Sequence, residues 1–284
     1  MSRHSRLPEQ LGGVGATSLG VARLRAQESL RPDHLIEDPY AGCIMEAAAG
    51  SDWATMKPEA GPDFFALLGD QVAVRTRFFD QALLEAAGGR CAQVVLLACG
   101  MDTRAFRLRW PTGTRVFEVD FGEVLAFRDA ALNAHDVTPR CQRTGVAADL
   151  RHDWSSVLIE AGFDPARPTA WLLEGLLYAL PAEGADGVLK TVSAVSAPGS
   201  VLALDHIEDS PLLREARRAV SPELVALWQG GPSADLVAWL SRFGWAPTVH
   251  DLRDIAAAYH RTVPDELAAG DAHAGRAWLA TASR

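Results

Sequence analysis

Short apolar runs that end in an acid or a glycine, separated by helical segments, predict an α/β fold. Such a fold has a parallel sheet covered by helices on both faces. The first supporting observation is the set of runs Val94–Leu97, Arg115–Asp120, Thr169–Leu173 and Ser200–Leu204, each of strand length and rich in Val, Leu and Phe. The second is the helical spacing of the segments around them. The third is bulk: 284 residues, 48% hydrophobic and 22% charged, make an ordinary globular chain able to bury a large core.

Residues 16–30 read as a first helix, with apolar Leu19, Ala22 and Ala26 and arginines between them. Asp38-Pro39-Tyr40 reads as a break, and Pro58, Gly61 and Pro62 punctuate the next segment. Val72, Phe78, Phe79, Ala82, Leu83 and Ala86 make 64–87 a helix that Gly88-Gly89 ends. After the first two strands, 121–134 reads as helix and 143–147 as a weak strand ending at Asp149-Leu150. Residues 185–195 and 234–243 read as helices. Thr248–His250 and Trp278–Ala282 read as two last strands, forming an antiparallel hairpin at a sheet edge.

In open α/β sheets ligands bind beyond the carboxyl ends of the strands, so those ends carry the candidate site. Ala98-Cys99-Gly100 follows the first strand; small residues there let a ligand approach the backbone. Asp120 ends the second strand, 20 residues past Gly100, a spacing that suits a carboxylate on ribose hydroxyls and equally suits a helix cap. Asp149 and Leu150 suit the amino group and face of an adenine, or a solvated turn. Glu174 lies in the apolar stretch TAWLLEGLLYAL, where a charge is costly without a partner. Asp205-His206 ends the next strand and faces the same cleft or, on a slight preference, forms a surface turn.

Composition excludes other classes. A net charge of −9 repels phosphate backbones, so no nucleic-acid partner is expected. No apolar run is long enough for a membrane span, and the start of the chain lacks a signal-peptide core; a cytoplasmic protein is the default expectation. Cys43, Cys91, Cys99 and Cys141 are far apart, with no C-x-x-C, and read as buried reduced thiols rather than a metal site. The absence of G-x-G-x-x-G argues against a nicotinamide-dependent oxidoreductase.

At these residues the sequence resembles the leucine carboxyl methyltransferase-like family, bacterial S-adenosylmethionine-dependent O-methyltransferases among them. The matching stretches, in order, are Gly13–Thr17, Asp38–Ala41, Arg75–Asp80, Gly100–Leu108, Glu118–Asp120, Ala148–Arg151 and Trp171–Tyr178. The resemblance implies a Rossmann-like, seven-stranded class I methyltransferase sheet (residues 91–284). It also implies a helical extension (residues 1–90) covering the cofactor, and an acceptor lid inserted around 206–235. Leu212, Leu213, Leu224, Leu227 and Trp228 give that lid an apolar character. Arg75 would hold the carboxylate of S-adenosylmethionine, Ala98 and Gly100 would border its methionine part, Asp120 the ribose, Asp149 and Leu150 the adenine, and Glu174 the amino end. Asp102 and Arg104 would pin the loop after Gly100. Tyr178 would line the acceptor side or belong to the core, and His206 is the best-placed base if the acceptor is a hydroxyl.

The resemblance further implies a small-molecule acceptor, a carboxylate or hydroxyl, and a setting in bacterial secondary metabolism, for a monomer or homodimer. The family's Asp-Leu-Gly-Ala-Gly is here Leu96-Leu97-Ala98-Cys99-Gly100. Ala98 is tolerable in that loop if its φ is negative. The altered loop keeps two alternatives open: a cofactor-binding member that has lost methyl transfer, and one that uses the cofactor's charge to assist a cyclisation or rearrangement.

Overall fold

The computed structural model describes residues 12–49, 62–209, 228–232, 235–263 and 276–284. Three helices come first: α1 (Gly12–Ser29), α2 (Pro39–Ala47) and α3 (Pro62–Gly88). Strand β1 (Gln93–Leu97) leads to the single turn α4 (Arg104–Arg107), then β2 (Arg115–Asp120), α5 (Gly122–Asn133), β3 (Gln142–Ala147), α6 (Trp154–Glu160) and β4 (Thr169–Leu173). A 3₁₀ turn at Leu177–Ala179, α7 (Ala182–Ala194), β5 (Val201–Ile207), α8 (Leu236–Arg242), β6 (Ala246–Asp251), α9 (Leu252–Ala258) and β7 (Ala277–Ser283) complete the described chain.

The strands form one sheet of seven in the order β3-β2-β1-β4-β5-β7-β6. β1 to β5 pair in parallel, and β7 runs antiparallel to both β5 and β6. The alternation of side chains along each strand sorts the interior into two cores. Val94, Leu96, Val116 and Leu172 face the side covered by α1, α2, α3 and α5. Val95, Leu97, Phe117, Trp171 and Leu204 face the side covered by α6, α7 and α8. The expected α/β sheet with both faces covered is therefore present.

Several local expectations change. Asp38-Pro39-Tyr40 is not a break but a helix start: Asp38 accepts from the Ala41 N–H at 3.1 Å, and Pro39 occupies a first-turn position whose missing N–H costs nothing. The last two strands pair antiparallel, but not as a tight hairpin; residues 252–276, including α9, join them, and of the two strands β6 is at a sheet edge while β7 lies between β5 and β6. All four cysteines are free thiols as expected, yet only Cys91 is buried; the other three are half-buried. Residues 1–11, the segment around Pro58 and Gly61, and most of the expected lid, with Leu212, Leu213, Leu224 and Leu227, lie outside the described residues.

Candidate functional site

The loop after β1 is shaped by its two ends. Gly100 has φ +51, and its N–H donates to Asp120 Oδ2 at 2.7 Å, while Oδ1 accepts from the Phe121 N–H at 2.7 Å. Asp120 thus straps β1 to β2; Phe121, with no side-chain cap, is the residue that flanks α5. Burial pushes the Asp120 carboxyl up against these two N–H bonds. Ala98 takes φ +49, against the expectation of a negative value, so this loop holds a non-glycine residue in the left-handed region. The close approach that Gly100 permits is made by α1: a Cβ on Gly100 would lie 2.7 Å from Ser18 Cβ.

Beneath the loop is Arg128, fully buried on α5. Its Nη1 donates to the carbonyls of Gly100 (3.3 Å) and Asp102 (3.2 Å), and its Nη2 to Glu118 at 2.5 Å. Glu118 also receives Arg143. Asp102 accepts from the Arg104 backbone N–H at 2.7 Å and pairs with the Arg104 guanidinium, the pinning expected of these two residues.

The strand ends of β4 and β5 carry a denser arrangement. Glu174, 8% exposed at its side chain, meets three arginines: Arg25 at 2.9 Å, Arg75 at 2.9 Å and Arg104 at 2.6 Å. Burial alone would push its carboxyl up, but the charges of Arg104, Arg25 and Arg75 outweigh that and hold it well below the carboxylate range. Arg75 donates its Nη1 to Asp205 Oδ2 at 3.0 Å, and Asp205 Oδ1 accepts from the Gly175 N–H at 2.6 Å. Asp205 is therefore no surface turn; it is 2% exposed and holds the chain just after Glu174. Arg104 continues the network to Asp80 at 2.7 Å, and Asp80 binds Arg107 at 2.6 Å. Asp38, the cap of α2, accepts from the Thr103 hydroxyl at 2.7 Å and so ties α2 to the β1 loop.

Tyr178 closes this cluster on one side. Its hydroxyl accepts from Arg75 Nη1 at 3.5 Å, and its ring stacks on Trp228 at 4.1 Å between centroids. Burial raises its hydroxyl pKa to about 12. The Tyr178 carbonyl accepts from the N–H groups of Gln229 (2.8 Å) and Gly230 (3.2 Å), which docks the Trp228–Pro232 segment on the 3₁₀ turn.

The remaining candidates lie apart. Asp149, at the end of β3, accepts a forked pair of bonds from the exposed Arg151, which lowers its pKa to about 2. Leu150 packs against the α6–α8 core. His206 follows Asp205 on β5, so its side chain points to the opposite face. It is 4% exposed, makes no hydrogen bond among the described residues, and is driven down to about 4 by burial. Gly231, with φ +69, packs so closely that a Cβ there would lie 2.8 Å from the His206 ring.

The structure thus gathers Arg75, Glu174, Asp205 and Tyr178 into one cluster. It joins Gly100 and Asp120 to that cluster through Asp102 and Arg104, and leaves Asp149, Leu150 and His206 outside it. Arg25 and Arg128 are participants that sequence reasoning does not raise; Asp205 it raises as a cleft residue but assigns rather to a surface turn. For Arg128 and Asp205 a signal exists, a charge placed among apolar helix or strand residues, the same one that marks Glu174. Among the described residues no group of three or more His, Cys, Asp or Glu side chains is arranged to hold a metal ion, and no helix is long and apolar enough to cross a membrane.

Similarity to known proteins agrees with this geometry. The model of the family described as leucine carboxyl methyltransferase matches residues 18–193. A relative from Parafrankia sp. (strain EAN1pec) is 45% identical over 262 residues, covering 90% of this chain and 84% of its own, and bears the name of an S-adenosyl-L-methionine-dependent methyltransferase. One from Mycobacteroides abscessus bearing the same name is 41% identical over 285 residues, covering 90% of this chain and 92% of its own. Among solved structures, a Thermobifida fusca protein described as a methyltransferase superposes with a TM-score of 0.53 at 18% identity, covering 93% of this chain and 94% of that one. A DUF574 family protein from Streptomyces avermitilis gives a TM-score of 0.53 at 16% identity, covering 95% and 99%. The two structures share the fold.

Proposed function

The chain belongs to the leucine carboxyl methyltransferase family, and from that premise we propose that it is an S-adenosylmethionine-dependent O-methyltransferase acting on a hydroxyl or carboxylate of a small molecule. The secondary-metabolism setting suggested by the sequence resemblance is part of this reading.

The observation that carries it is the pairing of Arg75 with Glu174 beside the Gly100–Asp120 strap. The amino-acid end of S-adenosylmethionine is a zwitterion. Its carboxylate matches the Arg75 fork and its ammonium matches Glu174, so the ion pair present here is the complement of that group. Exchange of the Arg75–Glu174 contact for two contacts to a zwitterion leaves the net charge of the pocket unchanged. Glu174 stays ionised under the three arginine charges, as an ammonium partner must. Asp120 keeps lone pairs beyond its two backbone N–H bonds, enough to accept from ribose hydroxyls. Asp149 and Leu150, half-buried at the end of β3, give an acceptor and an apolar surface for a purine. Ala98 and Gly100 supply backbone without bulk, and α1, α2 and α3 form the cover over this end of the sheet.

When bound, the cofactor supplies a methyl group on a sulfonium: the acceptor oxygen bonds the methyl carbon as the carbon–sulfur bond breaks, and the leaving thioether is neutral. No strong acid is needed for such a leaving group, so this chain's part is to align the reactants and exclude water. Arg75 and Glu174 fix the amino-acid end, and Tyr178, stacked on Trp228, walls the acceptor side. A carboxylate acceptor needs no base. For a hydroxyl acceptor a base is needed; His206, the expected one, is buried on the face of the sheet away from Arg75 and lowered to about 4, so it is poorly placed and weak for that role.

Calorimetric titration of S-adenosylmethionine, S-adenosylhomocysteine and, as control, NAD tests the reading. Binding of the first two alone is expected, with Arg75→Ala and Asp120→Ala each weakening it by about 1–3 kcal/mol through lost charged hydrogen bonds. Wild-type affinity in both variants would remove these residues from the site, and no binding at all would favour a member that has lost methyl transfer.

A further inference from the structure

The loop between β1 and α4 has an uncommon backbone. Ala98 and Gly100, two positions apart, have φ +49 and +51. Glycine adopts such an angle freely, but alanine does not. Backbone of this kind persists where its surroundings over-determine it. Two charged side chains from neighbouring elements bond this loop. Asp120 Oδ2, on β2, accepts from the Gly100 N–H at 2.7 Å. Arg128, on α5, reaches it from below. Its Nη1 donates to the Gly100 carbonyl at 3.3 Å, to the Asp102 carbonyl at 3.2 Å and to Cys99 Sγ at 3.5 Å.

Arg128 is a costly residue for this place. It has no exposed surface, and neither has Glu118, the carboxylate that its Nη2 meets at 2.5 Å. Glu118 is shared with Arg143, so two guanidiniums lean on one carboxylate. An apolar side chain of similar volume often serves stability as well or better. It cannot bond three acceptors in one loop. Peptide groups are planar, so drawing the Gly100 and Asp102 carbonyls towards α5 also fixes the planes that include the Met101 and Thr103 N–H groups. The face that the loop turns away from α5 is set by those planes. Being fully buried, Arg128 acts on that face only through the loop.

We propose that Arg128 is a positioning residue for the methionine end of the cofactor, holding the Cys99–Asp102 segment in the shape against which that end lies. The proposal rests on the methyltransferase reading for the identity of the ligand, but not for the hold on the loop.

Two ligands separate the methionine end from the rest. S-Adenosylhomocysteine has the amino-acid end; methylthioadenosine has the same nucleoside and sulfur without it. Each is titrated calorimetrically into wild type, Arg128→Met, Arg128→Lys and Leu132→Ala, the last a truncation of a buried apolar side chain on the same helix. Hydrogen exchange of the ligand-free proteins follows the amides of Cys99, Gly100 and Asp102, all hydrogen-bonded in wild type. Arg128→Met is expected to weaken S-adenosylhomocysteine by about tenfold or more and methylthioadenosine by less than about threefold, and to speed exchange in the loop but not along β4. Arg128→Lys keeps a charge for Glu118 but not the planar fork, and should fall between Arg128→Met and wild type. Leu132→Ala should lower the melting temperature and leave both affinities as in wild type. If Arg128→Met does not fold, Arg128→Lys decides by the same ratio of the two ligands. Equal losses for both ligands, or the same selective loss in Leu132→Ala, would mean a general loosening and overturn the proposal. Wild-type affinity in the Arg128 variants would overturn it whatever the exchange. If wild type bound neither ligand, the methyltransferase reading would fall and take the cofactor with it; the exchange comparison would still uphold or overturn the hold of Arg128 on the loop.

Discussion

The two faces of the sheet solve burial in different ways. Behind α6, α7 and α8 the side chains are almost all apolar: Trp154, Trp171, Trp239, Phe117 and Leu204 interdigitate, and of the few polar atoms Trp245 Nε1 meets Ser193 while Trp171 Nε1 and His206 Nδ1 have no partner among the described residues. On the other face, at the carboxyl ends of β1, β4 and β5, the helices α1 and α3 bring Arg25, Arg75 and Asp80 down onto Glu174, Asp205 and Arg104. Replacing a buried ion network of this kind by apolar residues is often neutral or stabilising, so stability does not explain its presence. The function proposed above supplies a reason: a charged, zwitterionic group would need buried charges already held in place.

Breaking the charged face at its centre should have the largest effect. Glu174→Ala leaves Arg25, Arg75 and Arg104 facing one another and is expected to destabilise the fold by about 3–5 kcal/mol and to abolish cofactor binding. Denaturant unfolding and calorimetry read the two losses together. Leu204→Ala, on the apolar face, should cost about 2–4 kcal/mol of stability while the folded protein keeps wild-type cofactor affinity. If the Leu204 variant instead lost affinity in proportion to stability, the faces would not be functionally distinct.

His206 supplies a pH-dependent comparison. Its pKa falls from an ordinary 6.5 to about 4 on burial. The unfolded chain therefore binds more protons than the folded one between these values. Its contribution is intact above about pH 6.5 and is lost as the pH falls towards 4, amounting to about 3 kcal/mol. The unfolding free energy of wild type relative to His206→Gln should fall by that amount over the same window; a constant difference would mean that the imidazole is already solvated. The smallest expected effect is at Ala98. With φ +49, Ala98→Gly should relieve about 1 kcal/mol of backbone strain, partly offset by the entropy of the freer unfolded chain. A fall in thermal stability on that change would show that the methyl group is used in packing.

The same contrast explains which elements are legible in the sequence. Strands such as Thr169–Leu173 declare themselves because both faces are buried, which leaves a continuous apolar run. Helix α3 declares itself through the spacing of Val72, Phe79 and Leu83, all buried. The start of α2 does not, because Asp-Pro serves equally as a turn and as a capped first turn, and only the Ala41 N–H on Asp38 distinguishes the two. Glu174 is marked by its apolar setting. Arg25, on a helix with no clean amphipathic stripe, carries no comparable signal, and Asp205 shares a dipeptide with His206 whose two side chains go to opposite faces.

Sequence alone determined the alternation of strands and helices, the acids and glycines at the strand ends, and the family, because each depends on the order of residues along the chain. Tertiary structure alone decided which charges meet. Arg25, Arg75 and Arg104 come from three separate helices, and their convergence on Glu174 depends on how α1 and α3 dock over the ends of β1, β4 and β5. It likewise decided that Ala98 adopts a positive φ, which alanine's own preference disfavours.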